Sequence, residues 1–223
     1  AAATTIRAGT PRPTQPRPCS VERVLNRLLH RSDVVEELQL RSRFGFMAYH
    51  GGTLEKTTDA IARDAAALAG ASYYGVVQGH EEPTHFSSTS VRPEHSEALQ
   101  VFLDQVDVVV TIHGYGREHL FHSVLLGGRN RALARHIAAH ARFALPKYTF
   151  HHDLADIPKE LAGQHRQNPV NLPRRHGVQI ELPPTIRWNH DEWGWSDHGE
   201  VGRARQVDTL IAALAGAARS WPH

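Results

Sequence analysis

The sequence has a single cysteine, Cys19, in 223 residues. No intrachain disulfide can form, and a metal site built from several cysteines is excluded. Long hydrophobic runs are also missing. None approaches the roughly 20 residues that span a bilayer as a helix, so no membrane partner is expected. There is no apolar stretch of signal-peptide type near the first residues, which favours a cytoplasmic location. Neither sign of charge dominates: 25 Lys and Arg against 23 Asp and Glu leave a formal +2, which makes no electrostatic case for nucleic acid. Apolar content of 40% and charged content of 22% are ordinary for a globular protein. The length suits one domain with a sizeable core, as a monomer or small homo-oligomer. Histidine is the excess, at 17 residues. Any metal would have to be held by His, Asp or Glu, the usual donors of an open, catalytic site.

Along the chain, residues 1–18 are a proline-rich arm expected to be disordered. Residues 19–42 read as a helical preface. Ser20 would cap a helix through Val24, Leu25 and Leu28, and Asp33 would begin a second helical stretch through Val34, Val35, Leu38 and Leu40. Residues 43–223 then alternate between strand and helix. Strands are expected over 44–49, 72–77, 107–112, 121–126, 147–151 and 177–182. Helices are expected over 58–68, 93–105 from Pro93, 131–143, more weakly over 154–161, and over 207–218. The pattern predicts a single α/β domain: a mixed, mostly parallel sheet with helices on both faces. In such sheets ligands bind just beyond the carboxyl ends of the strands.

Chemistry-bearing residues fall at those ends. The apolar run 44–49 is followed by His50-Gly51-Gly52-Thr53-Leu54-Glu55, so a histidine and a carboxylate leave one strand together. A second strand ends in the same way, at Thr111-Ile112-His113-Gly114. His50, Glu55 and His113 can thus supply three ligands to one zinc ion at the edge of the sheet. The plain alternative for either histidine alone is an ordinary loop residue. Glu181 stands on the apolar strand 177–182, where a lone carboxylate is costly without a role or a partner; a salt-bridged strand end is the competing reading. Gly51 and Gly52 allow a tight turn and close approach to the metal, or simply an ordinary turn.

Taken together, the stretches 48–55, 111–114, Gly127-Gly128 and 177–182 resemble the poly-γ-glutamate hydrolase family, zinc peptidases first described from bacteriophage and similar in fold to zinc carboxypeptidases. The segment Asn168-Pro169-Val170-Asn171, followed by Arg174, also resembles that family's loop before the last core strand. The resemblance covers about residues 43–187, in matching order. It implies that His50, Glu55 and His113 bind Zn2+ and that Glu181 is the catalytic carboxylate. It further implies hydrolysis of amide bonds in a small acidic substrate or γ-glutamyl polymer. The preface and the Trp-rich segment 188–195 have no counterpart in it.

Arginine suits the gripping of a substrate carboxylate because its planar fork binds bidentately. Arg174 and Arg187 are therefore candidates for substrate binding, as are Asn171 and His85. Arg129, after the Gly-Gly pair, is a candidate for binding a tetrahedral oxyanion. For Asn171 the competing role is holding its loop together. The Trp-rich segment could form a lid, make a subunit contact, or pack under the final helix. Three rival functions stay open: a zinc hydrolase of another acidic amide or ester, a non-catalytic binding or phage-structural protein retaining the fold, and a histidine-rich metal store.

Overall fold

Residues 24–79 and 82–222 are described by the computed structural model; the expected 1–18 arm and the Ser20 cap lie outside them. Four apolar stretches make the parallel centre of a seven-stranded sheet: β2 (Phe44–Gly52), β3 (Ser72–Gln78), β4 (Val108–Gly114) and β7 (Gly177–Leu182). Each is buried along nearly its whole length, as strands covered on both faces must be. The order across the sheet is β1-β3-β2-β4-β7-β5-β6. At one edge β1 (Val34–Gln39) runs antiparallel to β3. At the other, β5 (Ser123–Leu126) runs antiparallel to β7 and pairs in parallel with β6 (Thr149–His151).

Alternation divides the sheet's side chains between two cores. Phe46, Ala48, Val110, Ile112, Val178 and Ile180 face the core built with α2 (Thr58–Ala69), α4 (Arg131–Ala141) and α6 (Arg205–Ser220). Met47, Tyr49, Tyr74, Val76 and Val109 face the core built with α1 (Val24–Leu29) and α3 (Glu97–Gln105). The expected mixed sheet with helices on both faces is the observed one.

Residues 33–40 do not form the expected helix. Val34–Gln39 is a strand in full register with β3. Its two glutamates point to opposite faces and each meets a tyrosine: the Tyr74 hydroxyl donates to Glu36 at 2.7 Å, and Tyr73 to Glu37 at 3.1 Å. These cross-strand partners satisfy a pattern that locally resembles an amphipathic turn. Leu25 and Leu28 of α1 are buried in the same core as Met47 and Tyr49, so this part of the preface is built into the domain. Pro93 opens only a 3-10 turn, Pro93–His95; α3 starts afterwards, where the Ser96 hydroxyl accepts from Leu99 N. The weak helix over 154–161 is two 3-10 turns, Leu154–Asp156 and Lys159–Leu161, parted by Pro158, which has no N–H to continue a helix. After β7 the chain makes one short turn, α5 (Pro184–Arg187), then the hairpin β8 (Trp188–Asn189) and β9 (Gly194–Trp195).

Candidate metal centre and active site

Two features of β2 create the site. Its pairing with β4 ends at Met47 with Thr111, so the strands part beyond that point and leave a crevice at their carboxyl ends. Its pairing with β3 also slips between Ala48 and Gly51, a bulge. With strict alternation His50 would share a face with Phe46 and Ala48. The bulge re-aims it, and its ring instead contacts Tyr49, Phe86 and His113, with centroids 5.0, 4.6 and 4.9 Å away. After the bulge Gly52 adopts a φ of 71° and lies so close to β3 that a Cβ would sit 2.0 Å from Gln78 O. The glycine thus serves the packing of two strands rather than approach to a metal.

His50, Glu55 and His113 converge, with one donor atom from each lying within 4.8 Å of the others. His50 Nδ1 is 2.8 Å from Glu55 Oε1, and His113 Nδ1 is 3.1 Å from Glu55 Oε2. The Gly114 N–H also donates to Glu55 Oε2, at 2.9 Å. Burial alone would raise the Glu55 pKa, but the flanking histidines reverse this and hold it far below the ordinary carboxylate range. Two imidazole nitrogens and one ionised carboxylate, buried and convergent, are the donor set of a catalytic zinc site. These residues fit that ion.

Glu181 lies directly across from His113 in the β4–β7 register and is buried. Burial pushes its carboxyl up to about 7; Glu55 adds to the rise, while His113, Gln179 and Arg187 oppose it. A chain of side chains joins the two residues. His113 Nε2 lies 3.0 Å from the Tyr49 hydroxyl, which lies 3.4 Å from Asn168 Oδ1. Asn168 Nδ2 donates to Gln179 Oε1 at 2.7 Å, and Gln179 Nε2 donates to Glu181 Oε1 at 2.8 Å. The amide orientations give this chain a direction, from donor His113 to acceptor Glu181. Burial raises the Tyr49 pKa and keeps its proton, so the hydroxyl donates to Asn168 and accepts from His113 Nε2–H. Nε2 is thus the nitrogen turned to Tyr49, and Nδ1 is the one beside Glu55: with no metal an Nδ1–H donates to that carboxylate, which favours the protonated ring, and a metal would take the place of that proton. Sequence reasoning missed Tyr49, Asn168 and Gln179 as site residues. A signal was present: Gln179 and Glu181 are two polar residues at period two on a wholly buried strand.

The remaining candidates separate. His85 is exposed at the mouth of a cleft of about 600 Å³ lined by His50, Glu55, His113 and Glu181, its ring 5.6 Å from His50. Arg187 is buried beside the cluster. It donates to Lys56 O at 2.9 Å and Tyr115 O at 3.4 Å, and lies 4.8 Å over the Trp195 ring. Gly114 leaves room for it, since a Cβ there would come within 2.5 Å of the guanidinium carbon. Trp195 of the Trp-rich segment therefore backs the site, while Trp193 is exposed.

Asn171, Arg129 and Arg174 are not brought to the cluster. Because β5 is antiparallel to β7, the end of β5 returns to the start of β7, where Asn130 N bonds Gly177 O. Arg129 sits there, exposed, at the opposite end of β7 from Glu181. The Asn171 side chain is occupied with backbone, accepting from Arg129 N and donating to Gly163 O and His165 O. Arg174 is 77% exposed and 3.4 Å from Asp107, just before β4 begins and so far from His113.

Comparison with known proteins makes this chain a hydrolase. The sequence profile of the poly-γ-glutamate hydrolases matches residues 29–193, and the chain belongs to that family. A solved bacteriophage poly-γ-glutamate hydrolase is similar over 83% of this chain and 87% of its own, with 18% identity and a TM-score of 0.70. The zinc-free form of YNDL is similar over 85% and 91%, with 19% identity and a TM-score of 0.69. An N-formylglutamate amidohydrolase from Ralstonia eutropha JMP134 follows at 12% identity and a TM-score of 0.50, over 85% and 96%. At these identities the likenesses speak for the fold. No curated protein sequence matches significantly.

Proposed function

We propose that this protein is a zinc-dependent amide hydrolase that cuts γ-glutamyl bonds in poly-γ-glutamate or a closely similar acidic substrate. The observation that carries the proposal is the convergence of His50, Glu55 and His113 within 4.8 Å, with Glu181 opposite His113 on the next strand. Family membership supports the choice of substrate.

When bound by these three residues, zinc supplies Lewis acidity that polarises the scissile carbonyl and eases loss of a proton from water. Glu181 takes that proton at a carboxylate oxygen and returns it to the leaving nitrogen. A carboxyl pushed up to about 7 is matched to both halves of the task near neutral pH. Gln179 holds Glu181 Oε1 and so fixes which face of the carboxylate is free. Arg187 keeps a positive charge close to two buried carboxylates, Glu55 and Glu181, limiting their mutual repulsion when both are ionised. His85 and Lys159 line the cleft, where they can attract a carboxylate-bearing chain.

The test is metal content and polymer cleavage measured together on wild type, His113→Ala and Glu181→Gln. Wild type should hold about one zinc per chain and shorten poly-γ-glutamate. His113→Ala should lose both properties, and Glu181→Gln should keep the metal and lose cleavage. Full cleavage by metal-free His113→Ala would refute the proposal. Function intact in Glu181→Gln would favour a binding protein that retains the fold.

A further inference from the structure

The charge of this chain is unevenly distributed. The 34 residues from His119 to His152 hold five Arg and Lys and no Asp or Glu. Since the whole chain is +2, the rest carries −3. This acid-free stretch builds β5, α4 and β6 at one edge of the sheet.

Two surface grooves meet there. The larger, about 860 Å³, lies between the start of α6, the turn before β6 and the β8–β9 hairpin; Lys147, Arg205, His122 and His190 line it. The smaller, about 330 Å³, lies between α4 and β6, lined by Arg135, Arg142 and His152. Tyr148 belongs to both walls, so the grooves adjoin, and among the described residues neither is lined by a carboxylate. The cations are not used internally. Among the described residues no ion pair or hydrogen bond engages the side chain of Arg135, Lys147 or Arg205. Asp208, one turn along α6 from Arg205, is turned to Arg203.

The band also leads to the cleft. Thr185 lines the larger groove, while the adjacent Pro184 lines a second lobe of about 460 Å³ that shares Glu55 and Gly114 with the metal cleft and adds Lys56 and Arg187. Cleft, lobe and groove thus follow one another across α5.

We propose that this basic band is a docking track for a polyanionic chain. Its occupant is a distal segment of the same γ-glutamyl polymer whose bond is cut in the cleft, and this identity rests on the function proposed above. A γ-linked glutamate polymer offers a free carboxylate at every residue, which suits a row of unpaired cations without acids. A nucleic acid fits less well, because single strands are held by stacking on exposed aromatic faces: Tyr148, shared by the two grooves, is half-buried with its ring against His122, and the exposed Phe143 lines neither groove and has the Arg142 guanidinium over its ring. The track raises the local concentration of substrate and does no chemistry, so it acts on long chains only.

The experiment measures binding of fluorescein-labelled long-chain poly-γ-glutamate by anisotropy, using the full metal-loaded chain in a Glu181→Gln background. Arg135→Glu/Lys147→Glu/Arg205→Glu should weaken binding about tenfold or more at low salt, with the difference shrinking as salt rises. The corresponding triple alanine variant should lose less, and since all three positions are exposed, unchanged circular dichroism is expected for both. Unchanged affinity in the charge-reversed protein overturns the proposal. So does tighter, equally charge-dependent binding of a single-stranded DNA of matched charge. In parallel, with Glu181 intact, the triple variant should raise KM for the long polymer and leave cleavage of a short γ-glutamyl oligomer unchanged. If wild type cleaves neither, the function proposed above fails, while the binding result still decides the track.

Discussion

Replacing Tyr49 by Phe removes one oxygen from the middle of the chain that joins His113 to Glu181. The ring is fully buried and Phe keeps its volume, so the packing with Met47 and Tyr74 is preserved. His113 Nε2–H loses its acceptor, in a residue only 3% exposed. Leaving a buried donor unpaired costs about 1–3 kcal/mol. The imidazole can escape that cost by moving the proton to Nδ1, but Nδ1 is the atom that faces Glu55 and the metal. In either case the penalty falls on metal binding. Loss of such an outer hydrogen bond at a ligating histidine typically weakens affinity about 10–100-fold, or roughly 1.4–2.8 kcal/mol, and the two estimates agree. The assay is zinc titration of metal-free wild type and Tyr49→Phe against a chromophoric chelator at neutral pH. Thermal unfolding of both metal-free proteins confirms that the fold is kept. Affinities within about twofold of each other would show that the hydroxyl does not orient His113.

Gly52→Ala should cost at least about 2 kcal/mol of stability, since it combines a positive φ with overlap onto a backbone carbonyl that cannot move aside; denaturant unfolding reads this directly, and a near-neutral result would mean that β2 and β3 can separate. Arg187→Met should destabilise by about 2–4 kcal/mol because two buried carbonyls lose their donor and two carboxylates lose a neighbouring cation; a loss under about 0.5 kcal/mol in chemical denaturation would count against that role. Asp107 gives a clean pH test. Hydrogen bonding from Arg43 is the main cause that draws its carboxyl down from 3.8 to about 2. Its ionised form therefore favours the fold above the unfolded value, and that contribution is lost as pH falls through 2. Carboxyl NMR should show the midpoint moving back up in Arg43→Ala, and an unmoved midpoint would contradict the pairing.

The residues legible in the sequence are those whose roles follow from local position. His50, Glu55, His113 and Glu181 all sit at the ends of strands recognisable by their apolar content, and parallel neighbours carry such ends to the same side. Arg129 was misplaced for the reason that fails most such readings: nothing within Ser123–Leu126 states which way the strand runs against its neighbour. Once β5 is antiparallel to β7, the residue after it arrives at the wrong end of the sheet. Val34–Gln39 was misread because Glu36 and Glu37 are satisfied by tyrosines more than 30 residues away. Tyr49, Asn168 and Gln179 act through one another, and a relay of that kind is written in distances rather than in spacing.

The bulge in β2 has an evolutionary corollary. Side-chain identity in an ordinary strand is adjusted one substitution at a time, but the face a residue occupies is a matter of parity. Up to Ala48 the strand keeps the parity that the hydrophobic core demands, and at His50 it is offset by one residue. No point substitution can restore that parity, and none could have created the offset in a regular strand. A relative with one residue fewer between Ala48 and Gly51 would have a single residue on the site face there, and so could keep the histidine or the tyrosine hydroxyl beside His113 but not both. Length between those two positions is thus as diagnostic of an active member as the histidine itself.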